Sequence, residues 1–347
     1  MKLLVIGIDA FSSEFFDQYL EDYDTWNWLF QQIENGEAYK ETLHSIDEHG
    51  TPHTGVEWSS MYTGVMPEEH GITSHGWKKE HLDYSNIQKK TIFEKIDEEG
   101  LRQAIYSMPV TYPAPQIGNG WSISGFPSPL GTSETYHVGP HANHRTESVK
   151  KFAEIPRNII QIKDELPRDD IRSLAPWGQN MTEEEIQEVI ERACEIEQDK
   201  CGQFTAMARK ESPDVAWFGT HGVDKAGHVE GLQPEGPYTR EIYKEMGETC
   251  RYLIENLKPE HWIIVSDHGF QMHEKRHDRK GVFISSFAPD SLTVEPKRQK
   301  LKTQDVAFQI SCQLGFDDDW IGEERPDSQV RGDEEEIKQK LEEMGYI

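Results

Sequence analysis

Four short patches hold residues whose types and spacing suit divalent-metal and phosphate chemistry. The first is Gly7-Ile8-Asp9, an aspartate that closes an apolar run; alone, such a residue more often caps the next helix. The second begins at Thr54 and runs through Thr63 to Pro67-Glu68-Glu69-His70-Gly71-Ile72. Thr54 stands at the start of an expected helix, where free N–H groups and the helix dipole favour a phosphate, although a threonine there is more commonly an N-cap. The third is Asp224-Lys225-Ala226-Gly227-His228, a carboxylate and an imidazole that can converge on one cation. The fourth is Ser266-Asp267-His268-Gly269, with His273 and His277 downstream. Of these two histidines His277 is favoured, because Arg276–Phe283 leads directly back into an expected strand. Together Asp9, Asp224, Asp267, His228, His268 and His277 supply three protein ligands for each of two divalent ions, with the Thr54 hydroxyl as nucleophile. Two ions held about 3.5–4 Å apart clamp the attacking and departing oxygens of an in-line displacement.

The elements around these patches place most of them where strands end. Lys2–Gly7 reads as a strand that delivers Asp9. Ser12 and Ser13 then offer an N-cap to one amphipathic helix running to about Ile33. A helix is expected from just beyond Thr54 to Gly64, another over Thr91–Glu99, and a strand over Gln103–Ser107. From about 112 to 180 the Pro, Gly and polar content predicts loops and an inserted cap rather than sheet core. Regular structure resumes at the capping-box pattern Thr182–Glu185, with Ile186, Val189, Ile190, Ala193 and Cys194 on one helix face. Strands at Val215–Thr220, Trp262–Ser266 and Val282–Ser286 alternate with helices at Thr239–Lys258 and Thr303–Gly315. This alternation predicts an α/β fold with a mainly parallel sheet and helices on both faces. A single α/β domain is expected over 1–325, followed by an acidic tail helix over 326–347.

Composition narrows the function. The chain has 347 residues, 63 acids against 36 bases and a net charge of −27, a field that opposes nucleic-acid binding. The longest apolar runs are too short to span a bilayer, and the first residues carry no secretory pattern, so a cytoplasmic location without membrane contact is expected. Cys194, Cys201, Cys250 and Cys312 form no C-x-x-C pair, which favours buried thiols over a disulfide framework or cysteine zinc site.

The same motifs resemble the alkaline phosphatase superfamily in its type I phosphodiesterase/nucleotide pyrophosphatase branch, over most of the chain. The resemblance implies an alkaline-phosphatase-like fold. It implies one metal held by Asp9, Thr54, Asp267 and His268, and a second held by Asp224, His228 and His277. Met108–Pro115 and Trp121–Phe126 are similar to prokaryotic phosphohydrolase/phosphomutase-like members, and the ending Lys340–Ile347 is similar to a tail often seen in related hydrolases. Val56 departs from a proline common in relatives. His75 occupies the region of a phosphate-binding asparagine, so nucleotide specificity does not carry over; His75 is a candidate catalytic residue for a non-bridging oxygen, together with N–H groups near Gly55 and Val56. The C-x-P-x-R sulfatase sequence is absent.

The expected activity is hydrolysis of a small-molecule phosphate ester, most of all a phosphodiester, through a phosphothreonyl intermediate on Thr54. The expected cofactors are two zinc ions, with manganese or iron as alternatives. Three other readings stand beside it: a phosphomutase or phosphotransferase, a monoesterase using Arg145, Lys78, Lys79 or Lys225, and a silent metal-binding scaffold. His137, His141, His144 and Arg145 line the substrate entrance in one reading and form a polar loop in the other.

Overall fold

The computed structural model describes residues 1–46, 51–73, 84–125, 135–153, 182–289 and 300–325. In chain order the strands are β1 (Leu3–Ile8), β2 (Tyr39–His44), β3 (Gln103–Tyr106), β4 (Gly120–Ile123), β5 (Tyr136–Val138), β6 (Val215–Thr220), β7 (His261–Val265), β8 (Gly269–Phe270), β9 (His277–Asp278), β10 (Lys280–Ser285) and β11 (Leu301–Lys302). Nine of them make one sheet in the order β11-β2-β10-β7-β1-β6-β3-β4-β5, and β8 pairs with β9 separately. The central pairs β1–β6, β1–β7, β3–β6 and β3–β4 are parallel, whereas β10 runs antiparallel to both β7 and β2, and β5 antiparallel to β4. The mainly parallel α/β fold expected from the sequence is the one observed.

Burial of both sheet faces explains why the central strands are continuous apolar runs. On β1, Leu4, Ile6 and Ile8 enter one core, packed under helices Ser13–Tyr19, Glu183–Glu211 and Pro237–Leu257. Leu3 and Val5 enter the other, covered by helices Thr54–Thr63, Ile92–Glu98 and Asp305–Leu314. The alternation follows from the two-residue side-chain period of a strand. Among the described residues no helix is long and apolar enough to cross a membrane.

Two expectations need correction. The helix from Ser13 does not continue to Ile33: it stops at Tyr19, passes through two 3-10 turns, and resumes at Asn27–Glu34. Tyr23 is extended at the break (φ −103°, ψ 108°), with its ring against Phe15 and under Arg240 and its hydroxyl on the Pro234 carbonyl. Tertiary packing of that aromatic overrides the local helical pattern. The stretch from 112 to 180 is not wholly outside the sheet either. Gly120–Ile123 is fully buried as β4, Tyr136–Val138 adds β5, and Thr146–Ala153 forms a helix. Residues 126–134 and 154–181 of that stretch, and the expected tail helix over 326–347, lie outside the described residues.

Candidate metal centre

Three parallel strands deliver the site. Gly7 of β1 is in register with Gly219 of β6 and Val265 of β7, so the residues that follow each strand emerge level at one sheet edge. Asp9 follows β1, His221 follows β6, and Asp267-His268 follow β7 after Ser266. Asp224 and His228 sit four apart on helix Gly222–Glu230, which starts directly beyond β6. Hairpin β8–β9 turns the chain back so that His277 pairs with Phe270. The carboxyl edge of a parallel sheet is where such folds collect ligands.

Backbone bonds fix the loops. Asp267 Oδ1 accepts the Ala10 N–H at 3.2 Å, Ser266 Oγ accepts the Phe11 N–H at 2.8 Å, and the same Ser266 hydroxyl donates to the His268 carbonyl at 2.8 Å. Ala10 holds a left-handed conformation (φ 64°), which ties the strained turn after Asp9 to the Asp267 side chain.

Thr54 is the first residue of its helix rather than the cap, a place taken by His53. Its side chain is 9% exposed, and Oγ1 lies 3.4 Å from Asp9 Oδ1 and 3.3 Å from His268 Nε2. The Val56 and Glu57 N–H groups both donate to the His53 carbonyl at 3.0 Å, which removes Val56 from the expected oxygen-binding donors. Thr54 and Gly55 N–H remain at the open end of the helix. Proline at position 56 could not make the first of these bonds.

The six expected ligands form two adjoining groups. Ligand atoms of Asp9, Asp267 and His268 lie within 4.8 Å of one another, as do those of Asp224, His268 and His277. His228 joins the second group: its Nε2 is 3.3 Å from Asp224 Oδ1 and 3.1 Å from His277 Nε2. His277 Nε2 is also 3.3 Å from Asp224 Oδ1, while its Nδ1 faces the Pro52 carbonyl at 3.0 Å. A carbonyl can only accept, so Nδ1 carries a hydrogen, and Nε2 is the atom that faces Asp224 and His228. By the same reasoning the contact of His268 Nδ1 with the Gly269 carbonyl, 3.2 Å, turns its Nε2 lone pair toward Thr54 and Asp9.

These donors fit divalent ions. Two imidazole nitrogens and a carboxylate oxygen about 3 Å apart require a proton or a cation between them. The buried Asp267 Oδ2 has no hydrogen-bond partner among the described residues. Charge crowding points the same way. Burial, then the neighbouring Asp224, holds the Asp9 carboxyl well above its usual range, and burial followed by Asp9 does the same to Asp267. Burial also pushes Asp224 upward, but His228 and His277 outweigh it and hold that carboxyl low. Burial and the adjacent His277 keep the His268 imidazole neutral. Burial opposes the charge on His228 as well, but Asp224 outweighs it and holds that imidazole's pKa up. Crowded buried carboxylates beside a neutral imidazole are the state that a bound cation stabilises.

One polar partner escaped the sequence reading. His221 Nδ1 lies 3.1 Å from Asp9 Oδ2, and burial, then the Lys225 charge, lowers its pKa to about 3. It therefore donates as a neutral imidazole. The available signal was a histidine one residue past a buried strand and three ahead of Asp224. His75 lies outside the described residues. The expected entrance histidines are placed elsewhere: His137 is on the edge strand β5 with Nε2 at the Ile117 carbonyl, and the buried His144 contacts the Met207 carbonyl and the Trp121 ring.

The model of the type I phosphodiesterase/nucleotide pyrophosphatase family matches residues 3–345. No curated protein matches the chain. Among solved structures, it is similar to phosphonoacetate hydrolase from Sinorhizobium meliloti 1021, in complex with phosphonoformate (15% identity, TM-score 0.46) and with phosphonoacetate (14%, 0.43). Each match covers 78% of this chain and 56% of the other, so the chain spans little more than half the length of that hydrolase.

Proposed function

We propose that this chain, which belongs to the type I phosphodiesterase/nucleotide pyrophosphatase family, is a two-metal hydrolase of phosphate esters, chiefly diesters, with Thr54 as nucleophile. The observation that carries the reading is the position of the Thr54 hydroxyl. It lies at a helix N-terminus, 3.4 Å from Asp9 and 3.3 Å from His268, beside both groups of candidate ligands.

In this reading Asp9, Thr54, Asp267 and His268 hold one ion, and Asp224, His228 and His277 hold the other. Bound divalent ions supply positive charge that acidifies a hydroxyl and neutralises a departing oxygen. Histidine and carboxylate donors suit zinc, and accept manganese or iron. Thr54 Oγ1, flanked by Asp9 and His268 as fellow ligands, gives up its proton to solvent and attacks phosphorus. The bond to the leaving alkoxide breaks as the bond to Thr54 forms. The Thr54 and Gly55 N–H groups, with the helix dipole behind them, stabilise a non-bridging oxygen. Water then attacks the phosphothreonine from the vacated side and returns the Thr54 hydroxyl. The net charge of −27 supports a small-molecule ester over a nucleic-acid strand.

The test is turnover of bis(p-nitrophenyl) phosphate by zinc- or manganese-loaded protein, with Thr54→Ala alongside. Wild type should turn over, and the variant should lose about 1,000-fold or more in kcat while still binding metal. A variant that retains wild-type turnover removes Thr54 from the mechanism.

A further inference from the structure

Helix Gly222–Glu230 and its cap bring four polar side chains to the site, and three of them have partners there. His221 contacts Asp9, while Asp224 and His228 contact each other and His277. Lys225 is the exception. It shares a stripe with His221 and His228, four residues after one and three before the other. It is half-buried, within range of the charges of Asp224, Asp9, Glu197 and Lys200. Yet among the described residues its ammonium makes no hydrogen bond or ion pair.

That isolation runs against the composition. Acids outnumber bases 63 to 36, and Lys40, Lys89, Lys90 and Lys95 each reach a carboxylate. Lys200, the nearest comparable residue, is almost fully buried and sits 3.1 Å from Glu197. Glu197 approaches the start of the same helix, since a Cβ on Gly222 would lie 3.8 Å from its Cγ. Its Oε1 meets Lys200, and its buried Oε2 has no hydrogen-bond partner among the described residues, Lys225 included. The Asp9 oxygens face His221, Thr54 and His268, and Asp224 faces His228 and His277. A partly desolvated ammonium without a counter-ion is costly, and among the described residues no acid lies within ion-pair distance of it.

Building on the function proposed above, we infer that Lys225 is a specificity-determining residue that takes an anionic oxygen of the substrate not held by the Asp/His groups. The favoured substrate then carries at least one negative charge more than a simple phosphodiester. That charge sits either on a second acidic group attached to the diester's phosphoryl group or, in reversal of the diester preference proposed above, on the reacting phosphoryl group itself, as in a monoester.

The experiment measures binding of inorganic phosphate and of methylenediphosphonate to metal-loaded wild type, Lys225→Met and Lys225→Arg by calorimetry, with metal content and melting temperature checked for each. Methionine keeps the stem and removes the charge. It should weaken anion binding by about 10- to 100-fold, the loss of one hydrogen bond to a charged group, and arginine should largely restore it. Equal weakening for both anions assigns Lys225 to an oxygen of the reacting group, and weakening for methylenediphosphonate alone assigns it to a second acidic group. Unchanged affinities in folded, metal-replete Lys225→Met overturn the inference. Metal-replete wild type that binds neither anion would instead overturn the proposed function together with it, a pattern distinct from a Lys225-specific failure.

Discussion

At the scale of single residues, the groups that hold the candidate ligands are as informative as the ligands. His221 donates to Asp9 Oδ2 from a buried position, so His221→Phe preserves the ring and removes the donor. Loss of such a partner is expected to weaken metal affinity about 10- to 100-fold, read by competition with a chromogenic chelator. Wild-type competition would mean that Asp9 is oriented without His221. His70 makes a separate prediction, on stability. Its Nδ1 accepts the Ile72 N–H at 3.2 Å, leaving Nε2–H to donate to Ser60 Oγ at 2.9 Å, and burial lowers its pKa from 6.5 to about 4. The unfolded chain therefore takes up this proton first as pH falls. The stability tied to neutral His70 is complete above about pH 6.5, declines as pH drops below that, and is lost by about pH 4, roughly 3 kcal/mol in all. Urea unfolding at pH 7 and pH 5 should show a smaller pH-dependent loss for His70→Gln than for wild type. Equal losses would assign the acid sensitivity to other groups.

Among the elements, the placement of Thr54 depends on how closely its helix approaches the sheet. Gly7 lies on the β1 face covered by helix Thr54–Thr63, and a Cβ there would stand 2.7 Å from Trp58 Cη2 and 3.0 Å from Met108 Cε. Trp58 is buried, so Gly7→Ala must displace the helix or strain the ring. The expected cost is about 1–3 kcal/mol by urea unfolding, with a loss of kcat larger than that of a comparably destabilised variant far from the site. Stability loss with unchanged kcat would show that the helix absorbs the strain without moving Thr54. The sequence revealed Gly7 only as the end of an apolar run, because nothing local encodes the Trp58 ring above it. The same limit explains other differences. Strands β1, β6 and β7 were legible since both faces are buried and their runs are apolar. Strand β2, Tyr39-Lys-Glu-Thr-Leu-His44, buries only Leu43 fully and lacks an apolar alternation. Strand β4 is four residues long between Pro115, Gly118 and Gly125, so turn residues masked it. Asp9, Asp267 and His268 were readable because each follows a legible strand.

On the scale of the whole molecule, the candidate centre joins segments far apart in the chain: Asp9, Thr54, helix Gly222–Glu230, the loop after β7, and His277 of β9. Ions bound there cross-link the folded state and have no comparable site in the unfolded one, so they stabilise by mass action. At a thousand times Kd one ion contributes about 4 kcal/mol, and chelation should lower the melting temperature by several degrees or more. Without cations Asp9 and Asp267 oppose folding, because the two carboxyls share a buried space in a chain already at −27. Asp267→Asn separates the two effects. Its amide oxygen can keep the Ala10 N–H, and its NH2 can donate to His268 Nε2, which lies 3.3 Å from Asp267 Oδ2. The metal-free variant should therefore melt above metal-free wild type, yet gain less when zinc is added. Calorimetry in EDTA and in excess zinc reads both differences. A metal-free variant that melts below metal-free wild type would mean that the Asp9 and Asp267 carboxyls are balanced within the protein itself, and that metal binding is not what offsets their crowding.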